Sequence, residues 1–157
     1  MTIRKMQPGD GPALTQLIAR YRQEQGKEFG PAARAGAARA FAALAAEKPD
    51  AVMLWVAVDE NRVPRGYLNA HIGWFPLLGG EELYVSDLLV DEQLRGQRIG
   101  STLLRAAEDW AVARGCVRIM LNNLKSDHSY DRGFYVSQGF EEREHVANMV
   151  KKLPASG

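Results

Sequence analysis

The sequence predicts an α/β protein in which helices cover the faces of a mixed sheet. Three segments carry this prediction. Residues 51–58 are almost continuously apolar, which is typical of a strand buried on both faces. Residues 67–75 alternate as a strand does, and residues 99–114 repeat apolar side chains with the period of a helix. With the flanking segments they predict the chain order β-α-α-β-β-β-α-β-α-β.

The composition is that of an ordinary globular domain. The chain has 157 residues, of which 46% are hydrophobic and 25% charged, and its formal net charge is +1. These values exclude disorder and give no electrostatic reason to expect nucleic acid or a membrane as a partner. Cys116 is the only cysteine, so no internal disulfide can form. Since the start lacks the apolar stretch of a signal peptide, we expect a cytoplasmic protein with one domain over residues 1–153 and a short tail, 154–157.

The N-terminal part predicts a short strand and two helices. Residues 2–6 alternate polar and apolar side chains and stop at a Pro-Gly pair. Asp10 can then cap a helix over residues 11–25, with Pro12 in its first turn. Residues 32–46 are rich in alanine, which has the highest helix propensity, so a second helix is expected there.

The middle of the chain predicts three strands, at residues 51–58, 67–75 and 81–90, separated by segments that contain glycine and proline. The helix over residues 99–114 follows.

The C-terminal part predicts two strands and one more helix. Residues 117–121 form a short apolar strand, and a helix is expected over roughly 128–138, closed by Gly139. Residues 140–153 are expected to form one long strand or a tight hairpin.

The chemically informative segment joins the strand at 81–90 to the helix at 99. Gly96 and Gly100 lack the Cβ atoms that would keep a ligand away from backbone N–H groups, and the first turn of a helix leaves such groups without intrahelical partners. Arg95 and Arg98 add charge where the helix dipole is also positive. In chemical terms this is a cradle for pyrophosphate. The alternative is a plain strand–turn–helix with two solvated arginines, and neither a P-loop nor a G-x-G-x-x-G fingerprint is present.

The cradle is part of a longer pattern. Leu88-Leu89-Val90 is followed by Arg95-Gly96-Gln97-Arg98-Ile99-Gly100, and Phe134-Tyr135 stands ahead of Gly139-Phe140. The first motif resembles the acetyl-CoA-binding motif of the GNAT superfamily of N-acetyltransferases, Gln/Arg-x-x-Gly-x-Gly/Ala, with Arg98 in place of the first glycine. The second resembles another signature of that family, and the order of elements matches its fold. The resemblance implies a mostly antiparallel central sheet and direct transfer of an acetyl group from acetyl-CoA to a primary amine, without a metal.

The resemblance also implies which residues bind acetyl-CoA. In similar proteins the pantetheine arm lies between the fourth and fifth strands like an additional strand. The amides at the start of the next helix hold the pyrophosphate, and an asparagine bonds the arm from the opposite side. Carried over, these residues are Leu88, Leu89 and Val90 for the arm, Arg95, Gly96, Gln97, Arg98, Ile99, Gly100 and Ser101 for the pyrophosphate, and Asn122 or Asn123 for the opposite side.

For catalysis, Tyr135 matches the tyrosine that in many relatives acts as general acid towards the leaving thiolate. Many relatives carry a Glu-Asp pair before the Leu-x-Val segment, whereas this chain has Ser86-Asp87. Ser86 cannot act as a base but could position a water. Asp87 is the nearest carboxylate, although strand alternation points it away from the face of Ser86. Other candidates for the base are Glu81, Glu82, His71 and Glu28.

The expected partner is a small-molecule or peptide amine, and acidic side chains would suit a cationic one, although a solvated acidic face explains them more simply. A homodimer is one expected assembly, since many similar enzymes are dimers. The alternative function is a non-catalytic acyl-CoA-binding or regulatory module, which Ser86 favours and Tyr135 opposes. The residues expected to line the acceptor site are Tyr21, Glu28, Phe29, Asn69, His71 and Trp74.

Overall fold

A five-stranded sheet organises the first 122 residues of the computed structural model, which describes residues 1–46 and 51–154. The first four strands pair antiparallel in chain order, and the fifth joins the fourth in parallel. The mostly antiparallel sheet is therefore confirmed. The strands are β1 (Thr2–Lys5), β2 (Val52–Val58), β3 (Pro64–Phe75), β4 (Gly80–Val90) and β5 (Arg118–Leu121).

Two helices, α1 (Gly11–Glu24) and α2 (Pro31–Ala46), contribute to the core on one face of the sheet. Leu14 of α1 and Phe41 of α2 share a buried cluster with Tyr67 of β3, and the rings of Phe41 and Tyr67 meet edge to face with their centroids 5.6 Å apart. Phe41 is the buried residue of α2, so this alanine-rich helix is anchored mainly by one large side chain.

A third helix, α3 (Ile99–Arg114), covers the other face. Trp55 of β2 packs on Trp110 of α3 with ring centroids 5.6 Å apart, whereas Leu54 and Val56 belong to the cluster that includes α1 and α2. Because successive strand residues point to opposite faces, α3 lies on the side opposite to α1 and α2.

The elements predicted for this part of the chain are confirmed to within three residues at each end. The largest difference is at β3, which begins at Pro64 because Pro64 pairs with Val58 and Gly66 with Ala57 before the predicted start.

The residues after Asn122 form a second compact unit, Asn123–Gly157. Within it the structure has α4 (His128–Asp131) and α5 (Phe134–Ser137). The single helix predicted over residues 128–138 is therefore wrong. Gly133 adopts a left-handed backbone with φ of +62°, which separates the two short helices. The single domain over residues 1–153 stays a prediction.

The long strand or hairpin predicted over residues 140–153 is wrong, since these residues have no regular secondary structure. A strand needs a buried face to set its register. Here Val146, Met149 and Val150 stay 47%, 90% and 83% exposed, so no face is buried. Among the described helices, none has the length and apolar character that a membrane crossing requires.

Candidate active site

The fourth and fifth strands form a fork. Among the described residues, β4 pairs with β5 from Glu82 to Val85, opposite Arg118 to Leu121, whereas β4 continues to Val90. Within the described residues, the main chain of Leu88, Leu89 and Val90 therefore has no strand partner on the β5 side. This unpaired edge is the place where the family resemblance implies the pantetheine arm.

Ion pairs hold the closed end of the fork. The Glu82 carboxylate, 1% exposed, pairs with Arg118 of β5, and Glu81 Oε2 lies 2.6 Å from Arg114 Nε. The hydrogen bond from Arg114 lowers the pKa of Glu81. Both acidic residues are thus occupied by arginines, which argues against the sequence-based suggestion that either is a catalytic base.

The loop after β4 leads directly into the exposed first turn of α3. Gly96 has φ of +81° and Arg98 has φ of +62°, and α3 begins at Ile99. No described side chain caps this helix, and the first intrahelical bond to Arg98 comes from Thr102 N–H at 3.0 Å. The amides of the first turn, including those of Gly100 and Ser101, therefore have no intrahelical acceptor. The backbone conformation expected for the cradle is present, and its binding of pyrophosphate stays a prediction.

Arg98 has a left-handed backbone, which explains why the motif that this segment resembles has a glycine at this position. Its left-handed backbone costs a residue with a Cβ about 1–2 kcal/mol. The chain keeps the conformation that glycine favours and adds an exposed cation at the start of α3.

Arg95 is not a free cation of the cradle. Its Nη2 lies 2.6 Å from the Glu24 carboxylate of α1, and its Nε donates to the Val90 carbonyl at 3.3 Å. The bridge crosses a cavity of about 340 Å³ between α1 and the loop after β4. Sequence reasoning missed this role of Glu24, because the two residues are 71 positions apart.

A bulge interrupts the pairing of β4 with β3. Asn69 lies opposite Asp87, and the next residue of β3, Ala70, lies opposite Val85. Ser86 is therefore one extra residue on β4, and it follows directly on the last pair between β4 and β5.

The bulge overrides the alternation predicted for Ser86 and Asp87. Ser86 Oγ lies 3.1 Å from His71 Nδ1, and Asp87 is paired with Asn69. Asn69 and His71 are two residues apart on β3 and share a face. The sequence-based placement of Ser86 and Asp87 on opposite faces is therefore wrong. The extra residue of the bulge interrupts the alternation, so the two side chains lie on the same face of the sheet.

The pKa of the Asp87 carboxyl group is raised above its ordinary value. Although Asp87 is solvent-accessible, the surrounding protein desolvates its carboxyl group and raises its pKa, against the lowering effects of a hydrogen bond from Asn69 and the charge of Arg22. Burial, reinforced by the charge of Asp87, raises the pKa of the Tyr67 hydroxyl far above its ordinary value. Asn69 Oδ1 is buried without a hydrogen-bond partner among the described residues. The Asp87 carboxylate is accessible and can accept hydrogen bonds from an amine.

Tyr135 belongs to the second unit, where aromatic rings hold it. Its ring centroid lies 4.9 Å from that of Phe134 and 5.8 Å from that of Phe140, both in edge-to-face geometry. Gly139, with φ of +88°, turns the chain so that the Phe140 N–H bonds the Tyr135 carbonyl at 3.1 Å. The spacing of this motif thus has a packing reason.

The two candidate asparagines have protein partners. Asn122 Nδ2 donates to the Tyr84 hydroxyl at 2.8 Å, and Asn123 Oδ1 accepts from Ser129 Oγ at 2.9 Å. Asn122 thereby ties the end of β5 to β4, and Asn123 supports the start of α4.

The predicted acceptor residues are only partly brought together. Asn69 and His71 lie beside the bulge. Tyr21 is also close to it, since the charges of both Tyr21 and Asp87 act on the Tyr67 hydroxyl. Trp74, 75% exposed, pairs with Glu81 near the tip of the β3–β4 hairpin. Asp87 is six residues from Glu81 along β4, about 20 Å, so Trp74 does not line this site. Glu28 and Phe29 lie between α1 and α2, where the Phe29 ring faces the Arg34 guanidinium at 5.6 Å.

Comparisons with known proteins fit this geometry. A model of the acetyltransferase (GNAT) family matches residues 14–140. An integron cassette protein from the mobile metagenome of Cole Harbour salt marsh has a TM-score of 0.80 at 25% identity, with 98% of this chain and 91% of that chain covered. A search of curated proteins found no match.

Two solved enzymes share the fold at lower identity. Glucosamine-6-phosphate N-acetyltransferase from Arabidopsis thaliana has a TM-score of 0.75 at 18% identity, with 98% of each chain covered. Ribosomal-protein-alanine N-acetyltransferase from Brucella melitensis biovar Abortus 2308 has a TM-score of 0.73 at 18% identity, with 97% of this chain and 100% of that chain covered.

Proposed function

Because the chain belongs to the acetyltransferase (GNAT) family, we propose that it transfers an acetyl group from acetyl-CoA to a primary amine, directly within a ternary complex. The observation that carries this proposal is the edge of β4, which no described strand covers and which leads into a first turn of α3 that no described side chain caps. An extended ligand with a pyrophosphate at one end fits such a surface, since strand-like main-chain bonds and helix amides follow one another along it.

The coenzyme would be bound mainly by main chain. The groups of Leu88, Leu89 and Val90 would bond the pantetheine arm, and the amides from Gly96 to Ser101 would bond the pyrophosphate. Arg98 would supply positive charge at that end. Arg95 would contribute less charge than the motif implies, because Glu24 already neutralises it.

The acceptor amine would bind at the bulge. The solvent-accessible Asp87 carboxylate attracts an ammonium group and accepts hydrogen bonds from its N–H groups. Tyr135 would protonate the departing CoA thiolate. A cationic amine such as a polyamine, an aminoglycoside or a lysine side chain suits this carboxylate.

The second candidate function is a non-catalytic acyl-CoA-binding module. The observation that favours it is Ser86, which stands at the fork where many relatives carry a carboxylate. Such a module would bind acetyl-CoA and release no CoA.

The test is release of free CoA thiol from acetyl-CoA in the presence of spermidine, kanamycin or a lysine-containing peptide, with mass spectrometry of the product. The enzyme proposal predicts amine-dependent thiol release and an acceptor heavier by one acetyl group. Tight binding of acetyl-CoA without transfer to any of the three acceptors would favour the binding module instead.

A further inference from the structure

The Ser86–His71 pair occupies a distinctive position in the fork. Ser86 is the first residue of β4 beyond the last β5 pair, Val85 with Leu121, and it is the extra residue of the bulge. Its hydroxyl is therefore placed where the two strands begin to part and where the proposed pantetheine arm would end. Both Ser86 and His71 are solvent-exposed, so a substrate can reach them.

His71 is oriented from two sides. Its Nδ1 lies 3.1 Å from Ser86 Oγ, and its ring packs against that of Tyr84 with the centroids 5.1 Å apart. The Tyr84 hydroxyl in turn accepts from Asn122 Nδ2 at 2.8 Å, which fixes the ring against the end of β5. Within the described part of the chain, His71 Nε2 has no hydrogen-bond partner, so this nitrogen can exchange a proton with solvent.

We propose that Ser86 and His71 form the proton relay that takes the proton from the acceptor amine. The relay rests on the proposed acetyl transfer and supplies the base that Ser86 alone cannot be. In the tautomer with hydrogen on Nε2, the Ser86 hydroxyl donates to Nδ1, and Ser86 Oγ can accept a proton from the amine at the same time. Asp87 attracts the amine, and the Ser86–His71 relay removes its proton.

The step balances as follows in atoms and charge. The ammonium form of the acceptor first loses one proton to solvent. The neutral amine nitrogen then forms a bond to the acetyl carbon, and the bond from that carbon to the CoA sulfur breaks. The amine proton passes to Ser86 Oγ while the Ser86 hydroxyl proton passes to His71 Nδ1, giving an imidazolium. The thiolate takes a proton from Tyr135. The imidazolium then returns its Nδ1 proton through the exposed Ser86 hydroxyl to solvent, which restores the tautomer with hydrogen on Nε2, and Tyr135 regains a proton from solvent.

The experiment compares four single variants, and the double variant His71→Asn with Ser86→Ala, with the wild-type protein in the CoA-release assay with spermidine, kanamycin and the lysine peptide. His71→Asn keeps a hydrogen-bonding group near the Nδ1 position but cannot take the proton, and Ser86→Ala removes the relay. His71→Ala leaves space for added imidazole. His145→Asn is the matched control, because His145 is an exposed residue of the second unit.

The relay predicts that kcat falls about 100-fold in His71→Asn and Ser86→Ala, with the KM for acetyl-CoA within about twofold. It also predicts that imidazole restores part of the activity of His71→Ala, which a purely structural role would not allow. The double variant should lose little more than either single one, because the two residues act as a unit. His145→Asn should match the wild type.

Different failures have different meanings. Activity of His71→Asn and Ser86→Ala within about threefold of the wild type would overturn the relay and leave the acetyltransferase proposal intact. Lack of imidazole rescue would likewise overturn the relay alone. An acetyl group found on Ser86 after mixing with acetyl-CoA alone would overturn both the relay and direct transfer, since it would make Ser86 a nucleophile. If the wild-type protein transfers acetyl to none of the three amines, both proposals fail together.

Discussion

At the scale of single residues, Arg98 combines a conformational cost with a charge that suits a phosphate. It and Arg62 are the two described non-glycine residues with positive φ, at +62° and +63°. We expect Arg98→Gly to raise stability by about 1 kcal/mol and to weaken acetyl-CoA binding about three- to tenfold. Arg62→Gly should give the same stabilisation without a change in affinity. Denaturant unfolding and calorimetry measure both effects, and equal affinities in the two variants would mean that Arg98 does not contact the coenzyme.

We expect the Asp87 carboxylate to lower the stability of the folded protein while it promotes binding of the amine. The protein raises its pKa, so the folded state binds a proton more tightly than the unfolded state, and stability is lost as the pH rises through the folded pKa. Asp87→Asn should therefore be more stable than the wild type at about pH 7, a difference that shrinks as the pH falls towards the ordinary carboxyl pKa of about 3.9. Its kcat/KM for the amine should fall at least tenfold at unchanged acetyl-CoA affinity. Asp109→Asn, on the exposed side of α3, is the control for both readings.

A substitution at Tyr135 can distinguish a catalytic role of its hydroxyl from a packing role of its ring. Replacing it with Phe keeps the ring that lies between Phe134 and Phe140 and removes only the hydroxyl. We expect kcat to fall about 100-fold, with acetyl-CoA affinity within about twofold. Tyr130→Phe, which loses the hydrogen bond to Glu142 in the same unit, is the matched control and should retain its rate. An unchanged rate in Tyr135→Phe would mean that Tyr135 has a structural role and is not the general acid.

At the scale of elements, the bulge in β4 marks the limit of sequence reasoning. The strand itself follows from its apolar pattern, and the glycine-bearing loop before α3 predicts the cradle. The face of Ser86 and Asp87 could not be predicted in the same way, because it depends on how β4 registers against β3, and one extra residue reverses the alternation. The His71–Ser86 contact joins two strands, and the sequence of neither strand alone contains a pattern that predicts it.

The link between α1 and the cradle loop is a second contact that the sequence does not reveal. Because Glu24 neutralises Arg95, we expect Glu24→Gln to tighten acetyl-CoA binding by two- to fivefold and to change stability by at most about 1 kcal/mol, as is usual for a partly exposed pair. The gain should diminish at high salt. Glu60→Gln, in the exposed turn after β2, should alter neither quantity. Weaker binding in Glu24→Gln would show that the bridge positions Arg95 productively.

At the scale of the whole molecule, α1, α3 and the alternating strands were predictable because each has a periodic apolar face that the core buries. The strand β2 follows from its continuous apolar run, and α2 from the helix propensity of its alanines. The strand or hairpin predicted over residues 140–153 did not form, since the sequence does not show whether such a segment finds a partner to bury a face. Residues 147–154 are exposed, so we expect a chain that ends at Val146 to unfold within about 2 °C of the full chain in a thermal scan. A much larger loss would mean that this segment packs against something in solution.

The central claim is that the fork and the start of α3 bind acetyl-CoA, and calorimetric titration tests it most directly. Acetyl-CoA and free CoA should bind with micromolar dissociation constants, corresponding to about 8 kcal/mol, while ATP should bind far more weakly because it lacks the pantetheine arm. Binding of neither coenzyme, or equal binding of ATP, would contradict the account.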